Sequence, residues 1–236
     1  MGIVKTLREW AGDALSVIYP NVCEVCGESL RRGEETICLH CLRALPRTLM
    51  HNDEFNLIHE RLAGHVPIER AGGYFYYYRE SKYAGLIHRA KYNSRPVIAE
   101  RLGQRYAREI VGDGFFDGID LLLPVPLHWW KLIKRGYNQS EAVAKGVARV
   151  TGIALVDNLV AIRRHSTQTA KGAYSRWLNT EGIFAVEDAD ALKDRHVLII
   201  DDVITTGATI LRCCEAIHAA SPTTRISVLT LAVARN

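Results

Sequence analysis

"VLIIDDVITTGATI", residues 197–210, joins a run of aliphatic residues to two adjacent carboxylates, Asp201 and Asp202. An uninterrupted apolar run of this length predicts a strand that is buried on both faces of a sheet. The small hydroxyl residues that follow, with Gly207 among them, predict a tight loop at the start of a helix. Such a loop directs backbone N–H groups and the positive end of a helix dipole at an anion, most naturally a phosphate.

The two carboxylates would repel that phosphate, so we expect them to face a different part of the ligand. Carboxylates accept hydrogen bonds from hydroxyl groups, and vicinal hydroxyls suit a pair of them. The stretch therefore predicts a ribose 5-phosphate site. Three alternatives are a Walker B strand, a metal-dependent phosphatase and a purely structural turn. The chain has no G-x-x-x-x-G-K-[ST] loop to accompany a Walker B strand, and a phosphatase would not need a phosphate loop so soon after its aspartates.

The rest of the chain alternates predicted strands and helices. Strands are predicted at 72–78, 120–126, 153–156, 196–201 and 225–234. Helices are predicted at 83–92, 97–110, 138–152 and 207–220. This alternation predicts an α/β fold with a mainly parallel sheet, in which ligands bind at the carboxyl ends of the strands. Residues 46–70 read as an irregular connector, and residues 161–182 as a polar, basic excursion from the core.

Four of the six cysteines form two C-x-x-C pairs, "CEVC" at 23–26 and "CLHC" at 38–41. Two such turns supply the four thiolates of a tetrahedral zinc site, and four thiolates leave no open position for a substrate. Cys23, Cys26, Cys38 and Cys41 are therefore predicted to bind a structural Zn²⁺. Two disulfides are the main alternative, which a cytoplasmic chain disfavours. Cys213 and Cys214 lie in an apolar helical pattern and are predicted to be buried.

The composition is that of an ordinary globular protein: 236 residues, 48% hydrophobic and 24% charged, with a net charge of +4. No segment has the length of a membrane span, and charged residues interrupt the N-terminus where a signal peptide would need an apolar core. We therefore expect a cytoplasmic location. Positive charge is concentrated in residues 79–150, which contain thirteen basic and seven acidic residues and would suit an anionic ligand. Residues 1–50 are balanced, which disfavours direct binding of the cysteine module to nucleic acid.

Three segments together resemble a known family. "LIIDDVITTGAT" (198–209) resembles the motif by which type I phosphoribosyltransferases bind 5-phosphoribosyl 1-pyrophosphate (PRPP). "LLLPVPLHWWKLIKRGYNQSEAVA" (121–144) and "STQTAKGAYSRWLNTEGIF" (166–184) are similar to segments of the ComF family. The order of a four-cysteine module and a phosphoribosyltransferase domain also resembles that family. The resemblance implies a type I phosphoribosyltransferase fold with a small hood, preceded by a zinc-ribbon-like module.

The same resemblance implies roles for individual residues. Asp201 and Asp202 would hold the ribose hydroxyls of PRPP, while Lys91 and Arg135 would act near the pyrophosphate as the other catalytic residues. Gln139 would lie near the pyrophosphate or in the hood. The remaining implied substrate-binding residues belong to the pyrophosphate loop, the hood and the phosphate loop: Tyr92, Gln168, Arg176, Asn179, Thr205, Thr206, Gly207, Ala208 and Thr209.

These observations predict three parts of the chain: an N-terminal helix and cysteine module (1–50), a connector (51–70) and a phosphoribosyltransferase domain (71–236) whose hood spans about 161–187. The expected activity is Mg²⁺-dependent transfer of ribose 5-phosphate from PRPP to an unidentified acceptor, with release of pyrophosphate. A non-catalytic protein that senses PRPP or a nucleotide is the alternative. The family resemblance also implies protein partners in DNA uptake.

Overall fold

The computed structural model describes residues 21–92, 95–162 and 183–235. Its seven strands are β1 (Ala71–Tyr77), β2 (Leu121–Pro124), β3 (Ala154–Leu155), β4 (Leu159–Ala161), β5 (Phe184–Val186), β6 (His196–Ile204) and β7 (Arg225–Ala234). Five of them form a parallel sheet in the order β1-β7-β6-β2-β3, and β4 and β5 form a separate antiparallel pair. The predicted parallel sheet is confirmed.

Helices cover both faces of this sheet. They are α1 (Leu39–Arg43), α2 (Leu57–Leu62), α3 (Ala84–Tyr92), α4 (Pro96–Ile110), α5 (Trp129–Arg135), α6 (Gln139–Thr151) and α7 (Ala208–Ala220). Leu198 and Ile200 of β6 pack in the layer that contains α3, α4 and α6. Val197 and Ile199 pack in the opposite layer, with α2 and α7. Adjacent residues of a strand point to opposite faces, and the aliphatic run 197–200 of β6 is buried on both, as its sequence predicts.

Helices α4 and α6 approach each other closely because glycines line their contact. A Cβ atom at Gly103 would lie 2.4 Å from the Val143 carbonyl oxygen, and one at Gly146 would lie 2.1 Å from the Glu100 carbonyl oxygen. Asn138 caps the start of α6 by accepting from the Ser140 amide, and Gly152 ends the helix in the left-handed conformation. Asn138 Nδ2 also donates to the Val125 carbonyl at 3.0 Å, directly after β2, which places the N-terminus of α6 beside the carboxyl end of this strand.

Two of the differences from the sequence prediction concern β6 and the connector. Strand β6 does not end at the carboxylates but continues to Ile204, because the ten-residue β7 keeps pairing with it, as in Asp201 with Thr230 and Ile204 with Val233. The segment expected to be an irregular connector contains α2. Asn56 caps this short helix by accepting from the Ile58 amide, and its own amide donates to His59.

The cysteine module shares the core of the larger domain. Cys23, Cys41 and Leu42 belong to the same buried cluster as Tyr74 and Tyr83. The chain that leaves the module then runs along the free edge of β1, where the Tyr76 amide donates to the Pro46 carbonyl at 2.8 Å and the Thr48 amide to the Tyr74 carbonyl at 3.1 Å. The module and the sheet are therefore packed as one structure over these contacts.

The predicted N-terminal helix lies outside the described residues, as do residues 163–182 of the predicted hood. The antiparallel pair β4 and β5 flanks that second gap. Among the helices that the structure describes, none has the length and apolar character needed to cross a membrane.

Candidate functional site

Asp201 is buried near the carboxyl end of β6, where its carboxylate binds the start of α6. The Ser140 hydroxyl donates to its Oδ1 at 2.8 Å, and the Asp202 amide donates to the same oxygen at 2.8 Å. Burial, reinforced by the neighbouring Asp202 carboxylate, raises the pKa of Asp201 from 3.8 to about 7. A carboxyl group with so raised a pKa at the end of a parallel strand is typical of a functional site.

Asp202 meets α3. Its Oδ2 lies 2.9 Å from the Lys91 ammonium, with 14% of the Asp202 side chain and 23% of the Lys91 side chain exposed. Tyr137 lies close to this pair, and its hydroxyl donates to the Ala90 carbonyl. Burial raises the pKa of Tyr137, and the Asp202 charge adds to that rise. Three separate segments thus converge on Asp202.

The loop of small residues follows β6 directly. Gly207 has φ = +87°, which favours glycine, and a Cβ atom there would lie 3.3 Å from both Arg61 Cβ and Leu62 Cδ2 of α2. Gly207 is also the N-cap of α7 and provides no side-chain cap. The predicted loop residues Thr205, Thr206, Ala208 and Thr209 are exposed around it. The loop therefore presents hydroxyls and the N-terminus of a thirteen-residue helix to solvent.

Arg61 is a site residue that the sequence interpretation missed. Its guanidinium donates to the Ile204 carbonyl at 3.3 Å and to the Ala234 carbonyl at 2.5 Å. These two carbonyls lie at the carboxyl ends of β6 and β7. Because α2 belongs to the segment that was read as a connector, nothing in the local pattern marked Arg61. Ser140, which binds Asp201, was likewise not predicted as a site residue.

A cleft of about 850 Å³ opens beside the loop and Lys91. Besides Lys91, Thr205 and Thr206, its lining includes four residues that carry or can carry positive charge and one carboxylate: Arg61, Arg79, His88, Arg235 and Glu80. Tyr77 and Tyr78 form part of its wall. A cleft of this size and charge suits a small polyanionic ligand.

The other predicted site residues lie in two places. Arg135 donates to the Gln139 amide oxygen at 2.8 Å, at the junction of α5 and α6, so these two are brought together. Tyr137 lies between them in sequence and near Asp202, which places the junction beside the acidic pair. Tyr92 is the last residue of α3. Gln168, Arg176 and Asn179 lie outside the described residues.

The four predicted metal ligands form one cluster. The sulfur atoms of Cys23, Cys26, Cys38 and Cys41 all lie within 4.8 Å of one another. Cys26 Sγ and Cys38 Sγ are 3.8 Å apart, too far for a disulfide, whose sulfurs are about 2 Å apart. A tetrahedral site with Zn–S distances of about 2.3 Å separates its sulfurs by about 3.8 Å, so this donor set fits zinc.

Backbone amides also donate hydrogen bonds to a sulfur atom of the cluster, which favours its thiolate form. The Val25 and Cys38 amides donate to Cys23 Sγ at 3.4 and 3.3 Å. Burial alone would raise the pKa of Cys23, but amide hydrogen bonds outweigh it and lower this pKa to about 7. Burial and the neighbouring thiols raise the pKa of Cys41 to about 12. One readily ionised thiol beside thiols that resist ionisation favours a cation that stabilises the other thiolates. Cys213 and Cys214 are buried in α7, as predicted.

Residues 137–236 match the family model described as "Phosphoribosyl transferase domain". The DNA utilization protein YhgH of Shigella flexneri is 28% identical over 205 residues, which cover 81% of this chain and 88% of that protein. Competence protein F of Haemophilus influenzae is 32% identical over 93 residues, which cover 39% of this chain and 41% of that protein. A solved glutamine PRPP amidotransferase from B. subtilis, complexed with ADP and GMP, aligns at 19% identity with a TM-score of 0.43. That alignment covers 61% of this chain and 30% of the amidotransferase chain.

The fold and the family model together define a phosphoribosyltransferase domain, carried on a parallel sheet and joined to a four-cysteine module. The chain is homologous to the proteins named DNA utilization protein YhgH and competence protein F, which confirms the family resemblance found in the sequence.

Proposed function

We propose that this protein binds PRPP together with Mg²⁺ and transfers its ribose 5-phosphate to an acceptor, with release of pyrophosphate. One observation carries the proposal: Asp202 pairs with Lys91 at 2.9 Å, immediately before a loop that presents a helix N-terminus. PRPP requires three kinds of group from its site. Carboxylates can bind the ribose hydroxyls, an ammonium group can bind the pyrophosphate, and a phosphate loop can bind the 5-phosphate.

In this proposal the loop binds the 5-phosphate through its exposed hydroxyls and the amides at the start of α7. Asp201 and Asp202 accept hydrogen bonds from the ribose hydroxyls, with Ser140 holding the Asp201 carboxylate in place. Lys91 and Arg135 act on the pyrophosphate. We assign supporting contacts to Gln139 and Tyr92, and keep Gln168 and Arg176 as predicted hood contacts.

Departure of pyrophosphate leaves positive charge on the ribose and adds negative charge to the leaving group. The side chains therefore assist by position and charge: the acidic pair orients the ring, and Lys91 offsets charge on the leaving oxygen. Mg²⁺ binds phosphate oxygens together with one or two carboxylates. The acidic pair offers such oxygens, so it could hold a Mg²⁺ bound to PRPP, which would supply positive charge to the leaving pyrophosphate.

We further propose that the cysteine cluster holds one structural Zn²⁺. Its four thiolates, packed in the same core as the domain, leave no position for a substrate. The metal would therefore maintain the fold of the module. We also propose a cytoplasmic location, in keeping with cysteines that are all free in the described chain.

A second candidate is a protein that binds PRPP or a nucleotide without turnover and acts with DNA-handling partners. The names of the relatives favour it, since they refer to DNA utilization and competence and not to a transfer reaction. Incubation with PRPP, Mg²⁺ and a panel of nucleobases, followed by measurement of pyrophosphate, separates the two. Release that Asp202→Asn abolishes supports the transferase, and Mg²⁺-dependent binding without release for any acceptor supports the sensor.

A further inference from the structure

Helix α3, which carries Lys91, is held by the cysteine module at both ends. At its start, the Tyr83 hydroxyl donates to the Cys41 carbonyl at 2.8 Å. In its last turn, Arg89 Nε lies 2.8 Å from Glu24 Oε2. Glu24 belongs to the first C-x-x-C turn. The position of the helix therefore depends directly on the module.

Glu24 is a buried carboxylate with two cationic partners. The residue is 8% exposed, and its second oxygen lies 2.7 Å from Arg95 Nη1. A carboxylate with so little contact with water must be paired, and a charge left alone there would be costly. Arg95 directly precedes α4. One side chain therefore ties the end of α3 to the start of α4.

The helix leaves room for this ion pair. A Cβ atom at Gly85 would lie 2.8 Å from Arg89 Nη2, so the absence of a side chain at Gly85 lets the guanidinium lie against α3. Three cations, Arg89, Lys91 and Arg95, occur within seven residues and would repel one another. The negative charge of Glu24 offsets part of this repulsion.

The ion pairs flank the residue that reaches the acidic pair. Lys91 follows Arg89 by two residues, and its ammonium lies 2.9 Å from Asp202 Oδ2. The Tyr137 hydroxyl donates to the Ala90 carbonyl in the same turn of the helix. The end of α3 is thus fixed by Glu24 from the module and by Tyr137 from the core, and Lys91 directly follows these two attachments.

We propose that Glu24 is a positioning residue for the PRPP site: by pairing with Arg89 and Arg95, it fixes the end of α3 and holds the Lys91 ammonium against Asp202. The inference rests on the proposed function. It assigns the four-cysteine module a task at the substrate site of its own chain, in addition to any role in folding.

The test is calorimetric titration with Mg²⁺ and PRPP of the wild type, Glu24→Gln and Glu28→Gln. Glu28 is an exposed residue of the same module and provides a matched control. We expect Glu24→Gln to weaken binding about tenfold and Glu28→Gln to change it less than about twofold. The positioning role would be overturned if the wild type binds PRPP and a folded Glu24→Gln variant binds it with the same affinity. Wild-type protein that does not bind would instead overturn the proposed function.

A double-mutant cycle with Lys91→Gln distinguishes positioning from general loss of stability. If Glu24 acts through Lys91, the double variant binds PRPP no more weakly than Lys91→Gln alone. Additive losses would show that Glu24 does not act through Lys91. Should Glu24→Gln fail to fold, Arg95→Gln removes one of the same ion pairs at a side chain that is 57% exposed. A folded Arg95→Gln variant with wild-type affinity would also overturn the proposal.

Discussion

Replacing Asp201 with asparagine should stabilise the protein at neutral pH while it impairs ligand binding. The folded protein raises the pKa of this carboxyl from 3.8 to about 7, so the unfolded chain ionises it at a lower pH than the native state does. Stability is therefore lost progressively as the pH rises from 3.8 to about 7. At about 1.4 kcal/mol per pKa unit, the buried carboxylate costs up to about 4 kcal/mol above pH 7.

Asparagine removes this cost and keeps the local contacts. Its side-chain oxygen can still accept from the Ser140 hydroxyl and the Asp202 amide, which both donate to Asp201 Oδ1 in the structure. We expect the free energy of unfolding of Asp201→Asn, relative to wild type, to increase by about 3 kcal/mol between pH 5 and pH 8. PRPP binding at pH 8 should weaken at least about tenfold, because the charged acceptor for the ribose hydroxyls is lost.

The assay is urea unfolding at pH 5, 6, 7 and 8, with calorimetry of PRPP binding on the same samples. Asp157→Asn, at an exposed position, serves as the control for removal of one negative charge. If the difference in free energy of unfolding between Asp201→Asn and the wild type stays constant over this pH range, the raised pKa of the buried Asp201 carboxyl is refuted. A variant that keeps full affinity for PRPP would refute its assignment to the ribose.

Three further variants test other parts of the account. Gly207→Ala should destabilise the protein by roughly 1–2 kcal/mol, because it requires a left-handed residue in contact with Arg61, and thermal unfolding measures this. It should also weaken PRPP binding in calorimetry. Cys41→Ser should lower the zinc content of the purified protein below about half an equivalent and destabilise it by at least about 3 kcal/mol, as shown by metal analysis and urea unfolding. Lys91→Gln should weaken PRPP binding about tenfold or more in calorimetry, because the partner of Asp202 is lost.

Each of these has an outcome that contradicts it. Cys213→Ala is the control for the metal site, since this cysteine is buried in α7 and should leave the zinc content unchanged. Equal zinc content in Cys41→Ser and the wild type would argue against the four-thiolate site. Unchanged melting temperature and affinity in Gly207→Ala would show that the loop does not need its left-handed residue. Full affinity in Lys91→Gln would remove Lys91 from the ligand site.

The sequence predicted the sheet and its long helices because their signals are local. The apolar runs of β2, β6 and β7 and the helical periods of α4, α6 and α7 each extend far enough to be recognised in one segment. Helix α2 has only six residues and α5 only seven, too few for a reliable period. The Asn56 cap before α2 was the one local signal that could have found it.

Contacts between distant segments account for what the sequence could not show of the site. The ion pair of Lys91 and Asp202 joins residues on two elements, and only the family resemblance placed Lys91 near the ligand. The contact of Ser140 with Asp201 and those of Arg61 with the strand ends join residues that are more than sixty positions apart, so no local pattern predicts them.

Binding of PRPP is the central claim, and isothermal titration of the wild-type protein with PRPP tests it most directly. We predict saturable binding at one site per chain that requires Mg²⁺ and is lost in Asp202→Asn. Saturable heat that Asp202→Asn leaves unchanged would place the ligand elsewhere. No heat of binding, in a folded sample with and without Mg²⁺, would contradict the account.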